Sequence, residues 1–148
     1  MLEEVRTFGG SETFASHGPF TVGVTTRLTV LPAWKQEADF LFVQASFDLD
    51  LLLNWRESLQ FEGQVFAGVL VVASAGMAKT LTEATSQIQL PEALVDQLDA
   101  DPDAGVNLAC SLLTQIKASG AFDGVHLIPV GRYRTVAARL EQDGWRRR

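Results

Sequence analysis

The sequence predicts an α/β fold of parallel βα units, and three observations carry that reading. Four short apolar runs of strand length recur along the chain, at Phe20–Val24, Ala38–Gln44, Val65–Val72 and Gly124–Val130. Long helical patterns follow the second, third and fourth of them, and strands alternating with helices are the signature of a parallel sheet. The second run, Phe40-Leu41-Phe42-Val43, is apolar at every position, as befits a strand covered on both faces.

Residues 1–18 form a lead-in. Leu2, Val5 and Phe8 share one helical face, and Gly9-Gly10-Ser11 breaks it. Gly18-Pro19 punctuates the start of the first strand. The following Thr25–Pro32 segment is short and rich in β-branched residues, so it predicts no full crossover helix. A parallel connection needs about a dozen residues, and only a turn of helix near Ala33-Trp34-Lys35-Gln36 is expected there. After the second strand, Asp48 or Asp50 can cap a helix whose stripe is Leu49, Leu52, Leu53 and Trp55. Ser74 suits the N-cap of a helix with Met77, Ala78, Leu81 and Ala84. Pro91 suits the first turn of the next, which holds Leu94, Val95 and Leu98. Val106, Ala109, Cys110, Leu113 and Ile116 give a further core-facing helix ended by Gly120. The last helix carries Val136, Ala137 and Leu140 and ends at Gly144.

Composition bounds the function. Of 148 residues, 47% are hydrophobic and 20% charged, as in a globular domain with a core. The net charge of −6 argues against a nucleic-acid surface. No apolar run approaches the roughly 18 residues of a membrane span, and Met1–Arg6 does not read as a signal peptide. The single cysteine, Cys110, excludes an internal disulfide and reads as a packing residue. Cytoplasmic residence is the expectation. The terminal Arg146-Arg147-Arg148 run reads as a solvated tail, with a phosphate or partner contact as the alternative.

Candidate site residues follow from the rule that ligands of parallel α/β folds lie at the carboxyl ends of the strands. Gln44 ends the second strand. Its amide offers one donor group and one acceptor, which suits the amide edge of a pterin or flavin ring; the alternative is a loop tie to its own backbone. Thr25 and Ser74 follow the first and third strands. His126 lies within the fourth, aimed at a barrel centre or a neighbouring strand, as a ligand contact or a hydrogen-bonded structural residue. Gly131-Arg132 opens the last helix, where backbone N–H groups and a guanidinium could hold an anion. Asp99–Gly105 fails as a calcium loop, because Ala104 and Cys110 occupy the positions that need Gly and Glu. The two histidines, His17 and His126, lack the carboxylates that a zinc site would need, so no metal is expected. No nucleophile elbow, dinucleotide fingerprint or phosphate loop is present.

Several segments together resemble the C-terminal half of the methylenetetrahydrofolate reductase family. These are Ala38-Asp39-Phe40-Leu41-Phe42-Val43-Gln44-Ala45-Ser46-Phe47-Asp48, Gly68-Val69-Leu70-Val71, Met77-Ala78-Lys79, Leu90-Pro91, Gly124-Val125-His126 and Arg132. The resemblance spans about residues 19–145. It implies a half-barrel domain over residues 19–148, built of about four parallel βα units, from an FAD-dependent eight-stranded barrel. It further implies a folate or flavin-type ligand in one-carbon metabolism, with Gln44 on the family's folate-contacting glutamine.

The departures matter equally. The family's acid glutamate and flavin-side aspartate belong to the other half of the barrel. Thr25-Thr26 replaces an aromatic-proline step, Ala33 stands near the place of a flavin-binding lysine, and Ala75 near that of a folate-touching aromatic. These count against FAD retention and against catalysis by this chain alone. A non-catalytic assembly or regulatory module of the same descent is the alternative. Four βα units cannot close a barrel, so a homodimer or a partner supplying the other half is expected, unless residues 1–18 cover the open edge.

Overall fold

The computed structural model describes residues 1–84 and 88–145. The Arg146–Arg148 run lies outside the described residues. A single sheet of four parallel strands runs in chain order: β1 (Gly23–Thr26), β2 (Phe40–Val43), β3 (Gln64–Leu70) and β4 (Gly124–Ile128). Among the described residues, six α-helices accompany it: α1 (Leu2–Gly9), α2 (Leu49–Ser58), α3 (Ala75–Ala84), α4 (Leu94–Ala100), α5 (Ala104–Ser119) and α6 (Tyr133–Gln142). The architecture is a partial barrel of βα units.

The alternation of side chains along each strand sorts the sheet into two faces. Leu41 and Val43, with Val65, Ala67, Val69 and Val71, are buried against Leu52 and Trp55 of α2 and Val106, Ala109, Leu113 and Ile116 of α5. Side chains of this size contribute about 1.5–3 kcal/mol each when fully buried. A second cluster joins Val72, Ala78 of α3, Leu94 and Leu98 of α4, and Ala104. Cys110 belongs to the main core, and burial raises its thiol above the ordinary value, the Asp143 carboxylate adding to the rise. It is a packing residue rather than a nucleophile.

The opposite face carries Phe40, Phe42, Phe66, His126 and Ile128, none of them buried. Phe40 meets Phe42 at 5.1 Å and Phe66 at 6.0 Å between centroids, and Phe42 meets Phe66 at 5.5 Å. Glycines in the flanking strands let these rings lie across the sheet. A β-carbon on Gly23 would sit 2.0 Å from the Phe40 ring, and one on Gly124 2.8 Å from Phe66. The unbroken apolar run of β2 is therefore covered on its helix side and, among the described residues, left partly exposed on its aromatic side.

Capping matches the sequence closely. The Asp48 carboxylate accepts from Leu51 N–H at 2.9 Å to start α2, and the Ser74 hydroxyl accepts from Met77 N–H at 3.2 Å to start α3. Gly120 closes α5 at φ +64°. The connection from β1 to β2 holds only a 3₁₀ turn, Ala33–Glu37, as the β-branched composition predicts. Trp55 anchors this connection through its indole N–H, which donates to the Thr29 carbonyl at 2.9 Å.

The first strand begins later than its apolar run, at Gly23 rather than Phe20. Phe20 is diverted into the lead-in, where it contacts Phe14 at 5.1 Å and packs against Gly9. Residues 1–18 pack at the amino ends of the strands, with Leu2 buried against Val22 and Ala38.

Two aspartates extend the ladder by one rung. Asp39 N–H donates to the Val22 carbonyl at 2.8 Å while its carboxylate accepts from Val22 N–H at 2.6 Å. Asp123 repeats the arrangement with Val65, at 3.0 Å and 2.8 Å. Arg6 of α1 also donates to the Asp39 carboxylate, at 2.9 Å. The Val22 N–H first, and Arg6 second, hold the Asp39 carboxyl below its ordinary value of 3.8. A carboxyl lowered in the folded state stabilises it above the unfolded value and loses that contribution as pH falls through the folded one. Asp39→Asn should therefore lower the urea midpoint at neutral pH. Below pH 3.8 the wild-type midpoint should fall more steeply than the variant's. Parallel acid limbs would remove Asp39 from the acid response.

Candidate functional site

An open cavity of about 700 Å³ lies at the carboxyl ends of β1, β2 and β4. That volume suits a drug-sized ligand. Its floor is the upper part of the aromatic face. Phe42 and His126 stack with centroids 4.6 Å apart and planes inclined by 31°, and Leu70 and Ile128 continue the apolar surface. The His126 ring stacks on Phe42 and makes no hydrogen bond among the described residues.

Gln44 stands at the rim. Its backbone N–H donates to the Thr26 carbonyl at 2.8 Å, which carries the β1–β2 pairing one residue past the strand end. The side chain is half-buried, lines the cavity, and makes no hydrogen bond among the described residues. Among the described residues the tie from this turn to β1 is made by the Gln44 backbone, and its amide has no internal partner.

The turn after Gln44 is fixed from below. A β-carbon on Gly68 would lie 2.2 Å from the Val43 carbonyl and 2.7 Å from the Ala45 nitrogen. The chain crosses the aromatic face at this point, and only a glycine beneath it allows the approach. Ser46, buried beyond the turn, accepts from Asp48 N–H at 3.1 Å and leads directly into the capped α2.

The other predicted site residues divide. Thr25 lines the cavity, and its carbonyl accepts from Lys35 Nζ at 2.6 Å. Ser74 is spent on capping α3 and does not line the cavity. Arg132 also stays outside it. Its guanidinium bonds the Pro102 carbonyl and reaches the Asp103 carboxylate at 3.3 Å, so it joins the α6 start to the α4–α5 turn. Among the described residues, no three His, Cys, Asp or Glu side chains gather as a metal would require.

Sequence reasoning passed over three lining residues, Arg27, Trp34 and Lys35. All sit in the short β1–β2 connection, read only as a turn. Lys35 Nζ lies 5.3 Å from the centre of the Trp34 ring. The available signal was two cations and a tryptophan beside a strand's carboxyl end in an acidic chain.

Gly68→Ala should push the Val43–Ala45 backbone off the sheet, costing about 1–3 kcal/mol as other overpacked sites do. Chemical denaturation measures the loss. An unchanged midpoint would show that the turn has room to move.

No curated protein matches this sequence significantly. The family profile described as methylenetetrahydrofolate reductase matches residues 33–144 of the 148. That span runs from the 3₁₀ turn through β2, β3 and β4 to the end of α6, and so takes in the Gln44 turn, Gly68 and His126. With most of its length matched and a parallel βα sheet to carry it, the chain belongs to the methylenetetrahydrofolate reductase family.

Proposed function

We propose that this domain binds a planar heteroaromatic ligand of the folate or flavin type at the carboxyl ends of its strands. Membership of the family ties the domain to folate-dependent one-carbon metabolism. The observation that carries the ligand reading is the free amide of Gln44, half-buried at the rim of an aromatic-floored cavity. The amide is not among the buried atoms that lack a partner, so it is open to water, and a ligand binds there by exchanging water's hydrogen bonds for its own. A ring presenting adjacent donor and acceptor atoms would satisfy both of its groups, while Phe42 and His126 supply a surface for the ring face.

The same lining fits the family's FAD in part. Stacking surface, amide edge and two cations are present for a flavin ring and a phosphate. When bound, the flavin supplies hydride transfer. This chain's residues would orient its ring and exclude water from one face. Among the described residues the cavity wall holds no carboxylate, and His126 and Lys35 are the lining side chains that could move a proton.

The uncovered aromatic face favours a second component of the same reading, assembly. Parallel sheets are ordinarily covered on both faces, and β1 and β4 both present free edges. They run in the same direction, so two copies about a two-fold axis along the barrel could pair each β4 with the other's β1. A partner bearing equivalent strands would cover the face in the same way.

Titration with folic acid and with FAD, read by tryptophan quenching at Trp34 and by flavin fluorescence, tests the ligand reading. At least one should saturate, and Gln44→Ala should weaken it about tenfold, as expected for two lost hydrogen bonds. Unchanged affinity would remove Gln44 from the site, and failure of both ligands would leave assembly alone. Sedimentation tests the latter. The purified chain should run as a dimer that Phe66→Asp converts to monomer, and a stable wild-type monomer would overturn self-association.

A further inference from the structure

We infer that β1 and β4 are complementary edges that join two copies of this chain in one fixed register, with Gly23 of one copy opposite His126 of the other. The inference rests on the assembly reading and adds to it the seam and its alignment. It starts from which backbone groups face outward. The Thr26 carbonyl accepts from Gln44 N–H, on the β2 side, at 2.8 Å. Backbone groups point to alternate sides along a strand, so those of Gly23 and Thr25 turn to the open edge of β1. The Ile128 carbonyl accepts from Val71 N–H, on the β3 side, at 3.0 Å. Val125 and Leu127 therefore turn to the open edge of β4.

Each edge has a closed position, and the two match. On β1 the Thr25 carbonyl already accepts from Lys35 Nζ at 2.6 Å. On β4 the next outward residue is Pro129, which has no N–H to donate. Among the described residues, no internal backbone partner takes the other outward groups. A residue facing a parallel neighbour donates one rung back and accepts one rung forward. With Gly23 opposite His126, Gly23 N–H donates to the Val125 carbonyl and Leu127 N–H donates to the Gly23 carbonyl. Thr25 N–H then donates to the Leu127 carbonyl. The Thr25 carbonyl faces Pro129, so the acceptor that Lys35 has filled meets the residue that cannot donate. A slip of two residues one way would set Leu127 N–H against Lys35 for that carbonyl. The opposite slip would aim the Gly23 carbonyl at Pro129 and leave it unpaired.

The same register closes a barrel. A row of opposed residues crosses the sheet as Thr25, Phe42, Phe66 and Gly124. Across the seam it continues from Gly124 onto Thr21 of the second copy, four residues before Thr25. The second seam repeats that step, and the total of about eight is the stagger of an eight-stranded parallel barrel. This makes a second copy the occupant. The stagger closes after two chains and leaves no edge, whereas a contact of this head-to-tail kind that failed to close would grow into a filament. At the last rung Thr25 stands opposite Ile128. Both line the cavity, as does Lys35, so closure joins the two cavities across the seam.

Cross-linking reads the register. Thr25→Cys with Ile128→Cys, in a Cys110→Ala background, sets opposed thiols within disulfide reach across each seam. Within one chain these positions lie on the first and fourth strands, about three strand spacings of roughly 4.8 Å apart, too far to bridge. Mild oxidation of the dilute protein should convert most of it to a covalent dimer. Thr25→Cys with His126→Cys, two residues out of line, should stay single-chain. Linking of the second pair in place of the first would overturn the register. Thr25→Pro removes an edge N–H that the fold itself does not use. Sedimentation should show its dimer dissociation constant raised about a hundredfold, one hydrogen bond being lost at each of two seams. Thr25→Ala, which keeps the N–H, should match the wild type, and circular dichroism shows whether each variant folds. Should Thr25→Pro unfold, the cross-link decides alone. A wild-type dimer that neither pair links would overturn the edge inference and leave packing of the aromatic faces standing. A wild-type monomer would overturn both.

Discussion

The reciprocal pairing of Asp39 with Val22 and of Asp123 with Val65 is the constraint on which the rest of this structure depends. In each pair one backbone N–H and one carboxylate exchange hydrogen bonds with a single residue, Val22 just ahead of β1 or Val65 within β3. A carboxylate accepting a backbone N–H forms a stronger bond than a carbonyl does. It also acts at one place only, because the acidic residue stands immediately before its strand. Side chains alternate between faces, so a slip of one residue would carry Phe40, Phe42 and Phe66 into the helix-covered core and drive Leu41 and Val43 out. Asp39 reaches furthest, since its carbonyl also accepts from Gln64 N–H of β3 at 3.3 Å.

Register in turn makes the site. With Gly23 opposite Phe40 and Phe66 opposite Gly124, each ring lies over a residue without a side chain, and the aromatic face can be nearly flat. One rung higher, Gly68 stands opposite His126. Its bare α-carbon lets the Val43–Ala45 turn press onto the sheet, which puts the Gln44 amide beside the Phe42–His126 stack. Substituting side chains at these three glycines would fill the floor and lift the rim together.

The parts legible in the sequence are those governed by local rules. Strand existence, helix stripes, the Asp48 and Ser74 caps and the Gly120 stop all follow from periodicity and capping chemistry. Gln44 could be singled out because a strand end fixes where its side chain emerges. What escaped was long-range. Phe20 reads as the first residue of a strand until α1 claims it as a packing partner. Arg132 reads as an anion holder at a helix start, yet Asp103, far away in sequence, takes its charge. Lys35 was passed over because a short 3₁₀ turn has no stripe to say which side faces the sheet; only the fold shows it returning to Thr25.

Among the described residues two features stand open, an aromatic face and a cationic rim without a carboxylate partner, and they place different demands on what covers them. The face is apolar and continuous with the strands, so covering it gains free energy in proportion to the area removed from water. Backbone edges at β1 and β4 give that covering a direction, because only strands of the same polarity extend a parallel ladder. The rim gains nothing from apolar cover, since Lys35 and Arg27 would lose water without gaining a partner. On the proposed reading, a closing subunit and a small ring ligand would therefore not compete. Cover of the lower face by strands would deepen the cavity above it and lower the local dielectric. That strengthens the attraction between Lys35 and an anion. On the proposed reading, assembly and ligand binding would be coupled by electrostatics, each making the other more favourable.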